Sequence, residues 1–287
     1  MDVVTGHDPR RFAERARPFR AERPARHSVV LTRLARALAG ERSQPPESEL
    51  WWWVERGAAG SGAQVVAALM QTPPHGAYLA ADDETAVRAL ARAAWRVRPE
   101  LRSVGGPDAT AEVFADEWRR CGGPAAAVVM RQRLLQVDEL VEPPAPTGRH
   151  RLARATDVPL LRGWGEAFTD EAMPGGVRID HVTARVAAGL LHVWEVDGQP
   201  VSMAAVTVPE AGVARVQLVY TPPEQRGRGY AAACVAAVTR EQLAVPGRSC
   251  MLYTDAANPT SNAVYERLGY RVIGTATDLA FTATIDG

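Results

Sequence analysis

The sequence predicts a two-lobed α/β protein, and three observations carry that prediction. The chain has 287 residues, enough for two cores of ordinary domain size. A proline-dense seam, Glu142-Pro143-Pro144-Ala145-Pro146-Thr147-Gly148, falls near its middle. Proline fixes φ and removes a backbone donor, so neither a helix nor a central strand runs through this segment. On each side of it, short apolar runs with strand spacing alternate with helical stretches. The expected division is residues 1–142 as a first α/β lobe, 143–148 as linker and 149–287 as a second lobe.

In the first lobe, two helical stretches come first, the second carrying Val30, Leu34 and Leu38 as one apolar stripe. Residues 50–55 and 64–71 read as strands joined by the glycine-rich turn 57–62. Alternation in the first strand sends Trp51 and Trp53 to one face and Trp52 to the other. They read as core packing, with a cleft wall as the functional alternative. A short strand at 78–81 precedes a helix over 84–97, capped by Asp82 or Asp83. Asp108 caps a second helix through Cys121, and residues 126–136 close the lobe as a strand.

The second lobe starts with a strand at 150–155, then a helix capped by Thr156 or Asp157 and carrying Leu160, Leu161, Trp164 and Phe168. A further helix spans 180–189. Strands at 190–196, 200–208 and 213–220 follow, with turns at Asp197-Gly198 and 210–212. Residues 221–229 form a tight loop into an alanine-rich helix over 230–243. A strand at 249–254, a helix over 258–268 and a final strand or pair ending at Phe281 complete the lobe.

Composition narrows the function classes. Hydrophobic residues make up 46% and charged residues 23%, which is ordinary for a soluble globular protein. The 33 cationic and 33 anionic side chains cancel, which argues against a nucleic-acid partner. Every cation is arginine, which removes Schiff-base lysine chemistry. Cys121, Cys234 and Cys250 have neither zinc-site nor disulfide spacing and read as small buried hydrophobes, so no metal is expected. The polar N-terminus and the lack of a long apolar run imply a cytoplasmic protein with no membrane partner.

Chemistry concentrates in two places. In residues 215–233 an apolar strand runs into a loop with Gly227 and Gly229 and then directly into a helix. Glycine lets the backbone approach a ligand closely and take positive φ. The free N–H groups and positive dipole end of the helix then suit a phosphate or diphosphate, with Arg226 and Arg228 adding charge. A phosphate loop of the Gly-Lys-Ser/Thr kind is absent, and the dinucleotide fingerprint fits poorly. In the second place, residues 253–270, Asn258 caps a helix whose Pro259 takes the favoured first position. Tyr265 lies two turns in, and Gly269 closes the helix before Tyr270 enters the next strand.

With both blocks in view, the sequence resembles the GNAT superfamily of N-acetyltransferases. The acetyl-CoA loop of that family, Arg/Gln-x-x-Gly-x-Gly/Ala, is matched by Arg226 to Ala231. Its later Asn…Tyr-Glu-x-x-Gly-Phe/Tyr element is matched by Asn258, Tyr265, Glu266, Gly269 and Tyr270. The resemblance implies a mixed, mostly antiparallel sheet flanked by helices, preceded by a second GNAT-like or degenerate α/β lobe. It further implies acetyl transfer from acetyl-CoA to a primary amine of a small molecule or peptide, with no covalent enzyme intermediate. Leu218, Val219 and Tyr220 would hold the pantetheine arm. Arg226, Gly227, Arg228, Gly229, Tyr230 and Ala231 would hold the diphosphate. Asn258 and Asn262 would contact the cofactor, and Tyr265 would serve the departing thiolate.

One position departs from the pattern. About eleven residues before the loop arginine, some members carry a glutamate base; here the residue is Arg215, which cannot accept a proton. Glu166, Glu171, His181 and His192 stand as candidates because they fall in the region expected to border the acceptor. Arg215 keeps open a non-catalytic acyl-CoA-binding regulatory module, and the loop alone keeps open a nucleotide-phosphate binder.

Overall fold

The computed structural model describes residues 1–41, 45–57, 63–172 and 182–282. The chain divides into unit 1, Met1–Arg133 with Gly274–Gly287, and unit 2, Leu134–Ile273. Residues 143–148 therefore lie inside unit 2, and the end of the chain belongs to unit 1.

In chain order the first elements are β1 (Asp2–Gly6), α1 (Pro9–Arg15), α2 (Arg17–Glu22), α3 (Ser28–Leu38), β2 (Leu50–Arg56) and β3 (Gln64–Gln71). Then come β4 (Ala77–Ala81), α4 (Glu84–Val97), β5 (Ser103–Pro107), α5 (Asp108–Arg120) and β6 (Ala126–Val137). Next are β7 (Arg149–Leu152), α6 (Val158–Ala172), α7 (Val182–Ala187), β8 (Leu191–Val196), β9 (Gln199–Val206) and β10 (Val213–Tyr220). The chain closes with α8 (Tyr230–Leu243), β11 (Ser249–Asp255), α9 (Pro259–Arg267) and β12 (Arg271–Phe281).

Each unit is a mixed, mostly antiparallel sheet flanked by helices. In unit 1 the order is β1-β2-β3-β4-β5-β12, with β4 and β5 parallel and the other neighbours antiparallel. In unit 2, β7-β8-β9-β10 is an antiparallel run and β11 lies parallel to β10. Both units thus repeat one pattern: four antiparallel strands, a crossover helix (α4 or α8), a parallel strand, and a following helix (α5 or α9).

Apolar side chains cover both faces of each sheet. Phe12, Phe19 and Leu34 pack against Trp51 and Trp53 on one face of unit 1, while Val87, Leu90, Phe114 and Trp118 meet Trp52 on the other. The tryptophans are at most 1% exposed. They are core, as the sequence reading expects, and the cleft-wall alternative is set aside. In unit 2, Val235, Val238, Leu252 and Leu268 share one core, and Leu161, Val182, Val193 and Met203 the other.

Other departures have local causes. β1 was not foreseen: Asp-Val-Val-Thr-Gly is short and polar, and it holds together by pairing with β2. In α3 the buried set is Val30, Leu31, Leu34 and Ala37, with Leu38 37% exposed. Pro107, not Asp108, is the N-cap of α5, and Asp108 is its first residue. Leu160 is 44% exposed, whereas Leu161 is buried. β5 was missed because Ser-Val-Gly-Gly-Pro has no strand-like alternation. Its glycines answer to close packing: a Cβ on Gly105 would lie 2.3 Å from Asp278 Oδ1, and one on Gly106 would lie 2.9 Å from Leu79 Cβ. Residues 58–62 of the expected turn, Asp180 and His181 lie outside the described residues.

Candidate functional site

The site is built where β10 stops behaving as an ordinary strand. Val216 and Gln217 pair with Val206 and Ala205, and pairing resumes at Tyr220 opposite Met203. The register shift leaves Leu218 and Val219 as a bulge. Leu218 has φ +52°, a left-handed conformation that costs a non-glycine residue about 1–2 kcal/mol. On its other edge, the parallel register with β11 covers Val213, Ala214 and Arg215 against Ser249, Cys250 and Met251. Below that point the ladder does not commit β10 to β11. Ser202, a buried residue the sequence reading passed over, fixes the strand end: its hydroxyl donates to Tyr220 O at 3.1 Å and lies 2.8 Å from Thr221 Oγ1. A serine inside a buried apolar strand was the available signal.

Beyond Tyr220 the chain makes a short 3-10 turn, Pro223–Gln225, and enters α8 through Gly227 and Gly229. Their φ angles are +75° and +80°, and a Cβ at either would meet nothing within 4 Å. Gly229 is the N-cap of α8, and no side chain caps it. The first-turn N–H groups of Tyr230, Ala231 and Ala232 therefore have neither an intrahelical acceptor nor a capping side chain. Residues 226–229 are exposed and Tyr230 is buried. The result is an open helix N-terminus lined by backbone donors, beside the irregular end of β10.

Arg226 does not project freely into this opening. Its Nε donates to Thr221 O at 2.9 Å and its Nη2 to Glu171 Oε2 at 2.7 Å. The guanidinium also lies 5.7 Å from the Tyr220 ring centroid. Tyr220 donates its hydroxyl to Glu171 Oε1 at 3.2 Å. Burial first, then the Glu171 carboxylate, raises the phenol above its usual range.

α9 presents the second block. Asn258 caps it by accepting from Ser261 N at 3.0 Å, and Pro259 takes the first position. Gly269, at φ +92°, ends the helix with the bonds Gly269 N to Glu266 O and Tyr270 N to Tyr265 O, both 3.1 Å, a Schellman closure. Asn262 is 7% exposed and donates to Asp255 O and Ala256 O at 3.2 and 3.3 Å. Its Oδ1 is buried with no partner. Tyr265 is 9% exposed, and burial lifts its phenol to about 12.

A family model described as FR47-like protein matches residues 195–278, the stretch holding β10, the glycine loop, α8 and α9. A GCN5-related N-acetyltransferase from Sphaerobacter thermophilus has a TM-score of 0.62 at 15% identity, covering 99% of this chain and 98% of that one. Another from Kribbella flavida has a TM-score of 0.55 at 20% identity, covering 88% and 96%. A tandem GNAT protein from the clavulanic acid biosynthesis pathway has a TM-score of 0.55 at 13% identity, covering 99% and 100%. No curated protein matches the sequence. The chain has the fold of these GNAT acetyltransferases.

Within this GNAT fold the two crossover helices differ at the position that matters. At the start of α8 the cap is a glycine. At the start of α4 it is Asp83, whose Oδ1 accepts from Ala86 N at 2.9 Å and whose carboxylate also pairs with Arg56. A carboxylate already fills the anion position of α4. Unit 1 therefore keeps the GNAT-like strand order without a free N-terminus on its crossover helix.

The remaining candidates separate clearly. Glu171 reaches Tyr220 and Arg226, while Glu166 is exposed. His192 is on the α8 face and 2% exposed; burial, then neighbouring His150, holds its imidazolium down to about 4. Arg215 is half-buried in β10, its N–H donating to Thr207 Oγ1 at 3.0 Å. Cys234 and Cys250 are fully buried, and burial pushes both thiols to about 12, far from nucleophilic thiolates.

Proposed function

We propose that this chain is a GNAT N-acetyltransferase that uses acetyl-CoA and acts on a primary amine of a small molecule or peptide. The observation that carries the reading is the uncapped start of α8, with Gly227 and Gly229 open to solvent next to the Leu218–Val219 bulge. A diphosphate fits there because the available donors are backbone N–H groups at the positive end of a 14-residue helix.

The residues divide the work. Amides from Arg226 through Ala231 hold the diphosphate. Backbone groups of Leu218, Val219 and Tyr220 run alongside the pantetheine arm, where the interrupted ladder leaves β10 free to pair with an extended ligand. Asn258 and Asn262 border the same end of the sheet, and the unpartnered Asn262 Oδ1 offers an acceptor. When bound, acetyl-CoA supplies a thioester whose acyl carbon is open to an amine. The Val219 or Tyr220 N–H is the fitting oxyanion donor, an effect on the order of 3 kcal/mol in acyl transfer. Tyr265, neutral at every physiological pH, donates a hydrogen bond to the departing sulfur. Full proton transfer from a phenol near 12 to a thiolate of ordinary basicity is uphill by roughly three to four pH units, so the hydrogen bond matters more than complete transfer. The high thiol values of Cys234 and Cys250 favour direct attack by the amine over an acyl-enzyme.

Turnover tests this reading: release of coenzyme A thiol from acetyl-CoA in the presence of a panel of amines, peptides and aminoglycosides. Acceptor-dependent release supports the transferase. Arg215 in place of a base favours the second reading, a non-catalytic acyl-CoA-binding regulatory module, which predicts tight acetyl-CoA binding and no release with any acceptor.

A further inference from the structure

A second cluster with chemical character lies in unit 2 on the α8 face of the sheet, at the opposite end of α8 from the glycine loop. His150 stands on β7 and His192 on β8. In the register His192 pairs with Leu152, so His150 is its diagonal neighbour on the same face. α8 packs on this face and supplies Glu241 from its last turn. His150 Nε2 and His192 Nδ1 are 2.9 Å apart. Glu241 Oε1 lies 3.4 Å from His150 Nδ1, and Oε2 lies 3.8 Å from His192 Nδ1. One donor atom from each residue falls within 4.8 Å of the other two.

These separations fit a shared ion better than a set of hydrogen bonds. Two ligands at about 2.0–2.1 Å from a tetrahedral zinc stand roughly 3.4 Å apart, and the 2.9 and 3.8 Å edges at His192 Nδ1 bracket that value. As a purely hydrogen-bonded group the cluster is poor. Only the His150–His192 contact at 2.9 Å has ordinary hydrogen-bond length; the two carboxylate contacts, at 3.4 and 3.8 Å, are long. We propose that His150, His192 and Glu241 form a binding site for a zinc-class divalent cation that clasps the edge strand β7 and its neighbour β8 to the end of α8. Two imidazoles and one carboxylate are a borderline-soft N₂O set, suited to Zn²⁺ and away from Mg²⁺ or Ca²⁺. β7 has four residues and a single strand neighbour, β8, so an ion tying it to α8 would act on a short edge strand. The proposal stands independently of the acyl-transfer reading.

The test uses the full chain stripped with chelator and desalted. Titration with Zn²⁺ is followed by calorimetry, metal content after gel filtration and thermal unfolding; Co²⁺ is used as the spectroscopic probe. Expected are one Zn²⁺ per chain, a rise in Tm of about 5–10 °C at a hundredfold excess over Kd, and visible Co²⁺ absorption of a low-coordinate site. Glu241 is 51% exposed in its side chain and His150 18%, so Glu241→Gln and His150→Gln should fold. Each should weaken Zn²⁺ binding at least tenfold while leaving the metal-free Tm within about 3 °C. Mg²⁺ should have no effect. Absence of stoichiometric Zn²⁺ binding, or binding undiminished in both variants, overturns the proposal.

Discussion

The Arg226 guanidinium donates to the Glu171 carboxylate at 2.7 Å, tying the loop that opens α8 to the last turn of α6. Both side chains are 48% exposed, so the pair contributes at most about 1 kcal/mol to stability. Its larger effect is electrostatic, because it sets a negative charge beside the α8 anion position. Glu171→Gln should tighten coenzyme A binding two- to threefold at low salt, with the gain fading at high salt. Calorimetric titration at two ionic strengths checks this, and weaker binding in the variant would contradict it.

Gly229 is the most demanding position in the loop. At φ +80° with open space around a would-be Cβ, a Gly229→Val variant pays backbone strain of about 1 kcal/mol and places a side chain over the helix N–H groups. The expected outcome is a coenzyme A affinity lowered at least tenfold with Tm reduced by only a few degrees. Binding that survives the substitution would move the diphosphate away from α8.

Tyr265→Phe should leave folding nearly unchanged, because the phenol makes no hydrogen bond to a described residue and its ring packs against Tyr270 at 6.1 Å. With the acceptor identified, kcat should fall about ten- to a hundredfold while KM for acetyl-CoA stays within threefold. The pH–rate profile of the native protein should show no Tyr265 ionisation below pH 10, since burial holds the phenol near 12.

His27 gives unit 1 a pH-dependent stability. It is 5% exposed, stacked on Phe19 at 4.3 Å, and burial lowers its imidazolium to about 4. The unfolded chain takes up this proton near pH 6.5 and the folded chain only near 4, so stability rises with pH across that window and is lost as pH falls through it. The loss approaches about 3 kcal/mol when complete. The urea midpoint of the native protein should drop from pH 7 to pH 5 more steeply than that of His27→Phe, which keeps the stack and removes the titration.

The extent to which sequence foretold this molecule follows from where its information is local. β10 and α8 were legible to the residue, and α9 to within one residue at each end, because their limits are written in short-range chemistry: Gly229 at one helix start, Asn258-Pro259 at another, Gly269 at a helix end. The alternation of Trp51, Trp52 and Trp53 also read correctly, since strand pleating alone decides it. β5 escaped because its glycines are chosen by Asp278 and Leu79, residues distant in sequence. In the site, the motif residues were legible, but their partners were not. Glu171 stood out only by region, and its bonds to Arg226 and Tyr220 depend on how α6 packs. The His150–His192–Glu241 cluster was invisible, because strand register and a helix face assemble it from three separate stretches.

Ligand-dependent unfolding, with coenzyme A, acetyl-CoA, ATP and NAD compared on one preparation, probes the α8 mouth most directly. Coenzyme A and acetyl-CoA should each raise Tm by about 5–10 °C at a hundredfold excess over Kd, with no response to NAD and at most about half that shift for Gly229→Val at the same ligand concentration. A protein stabilised by ATP or NAD and indifferent to coenzyme A would contradict the account.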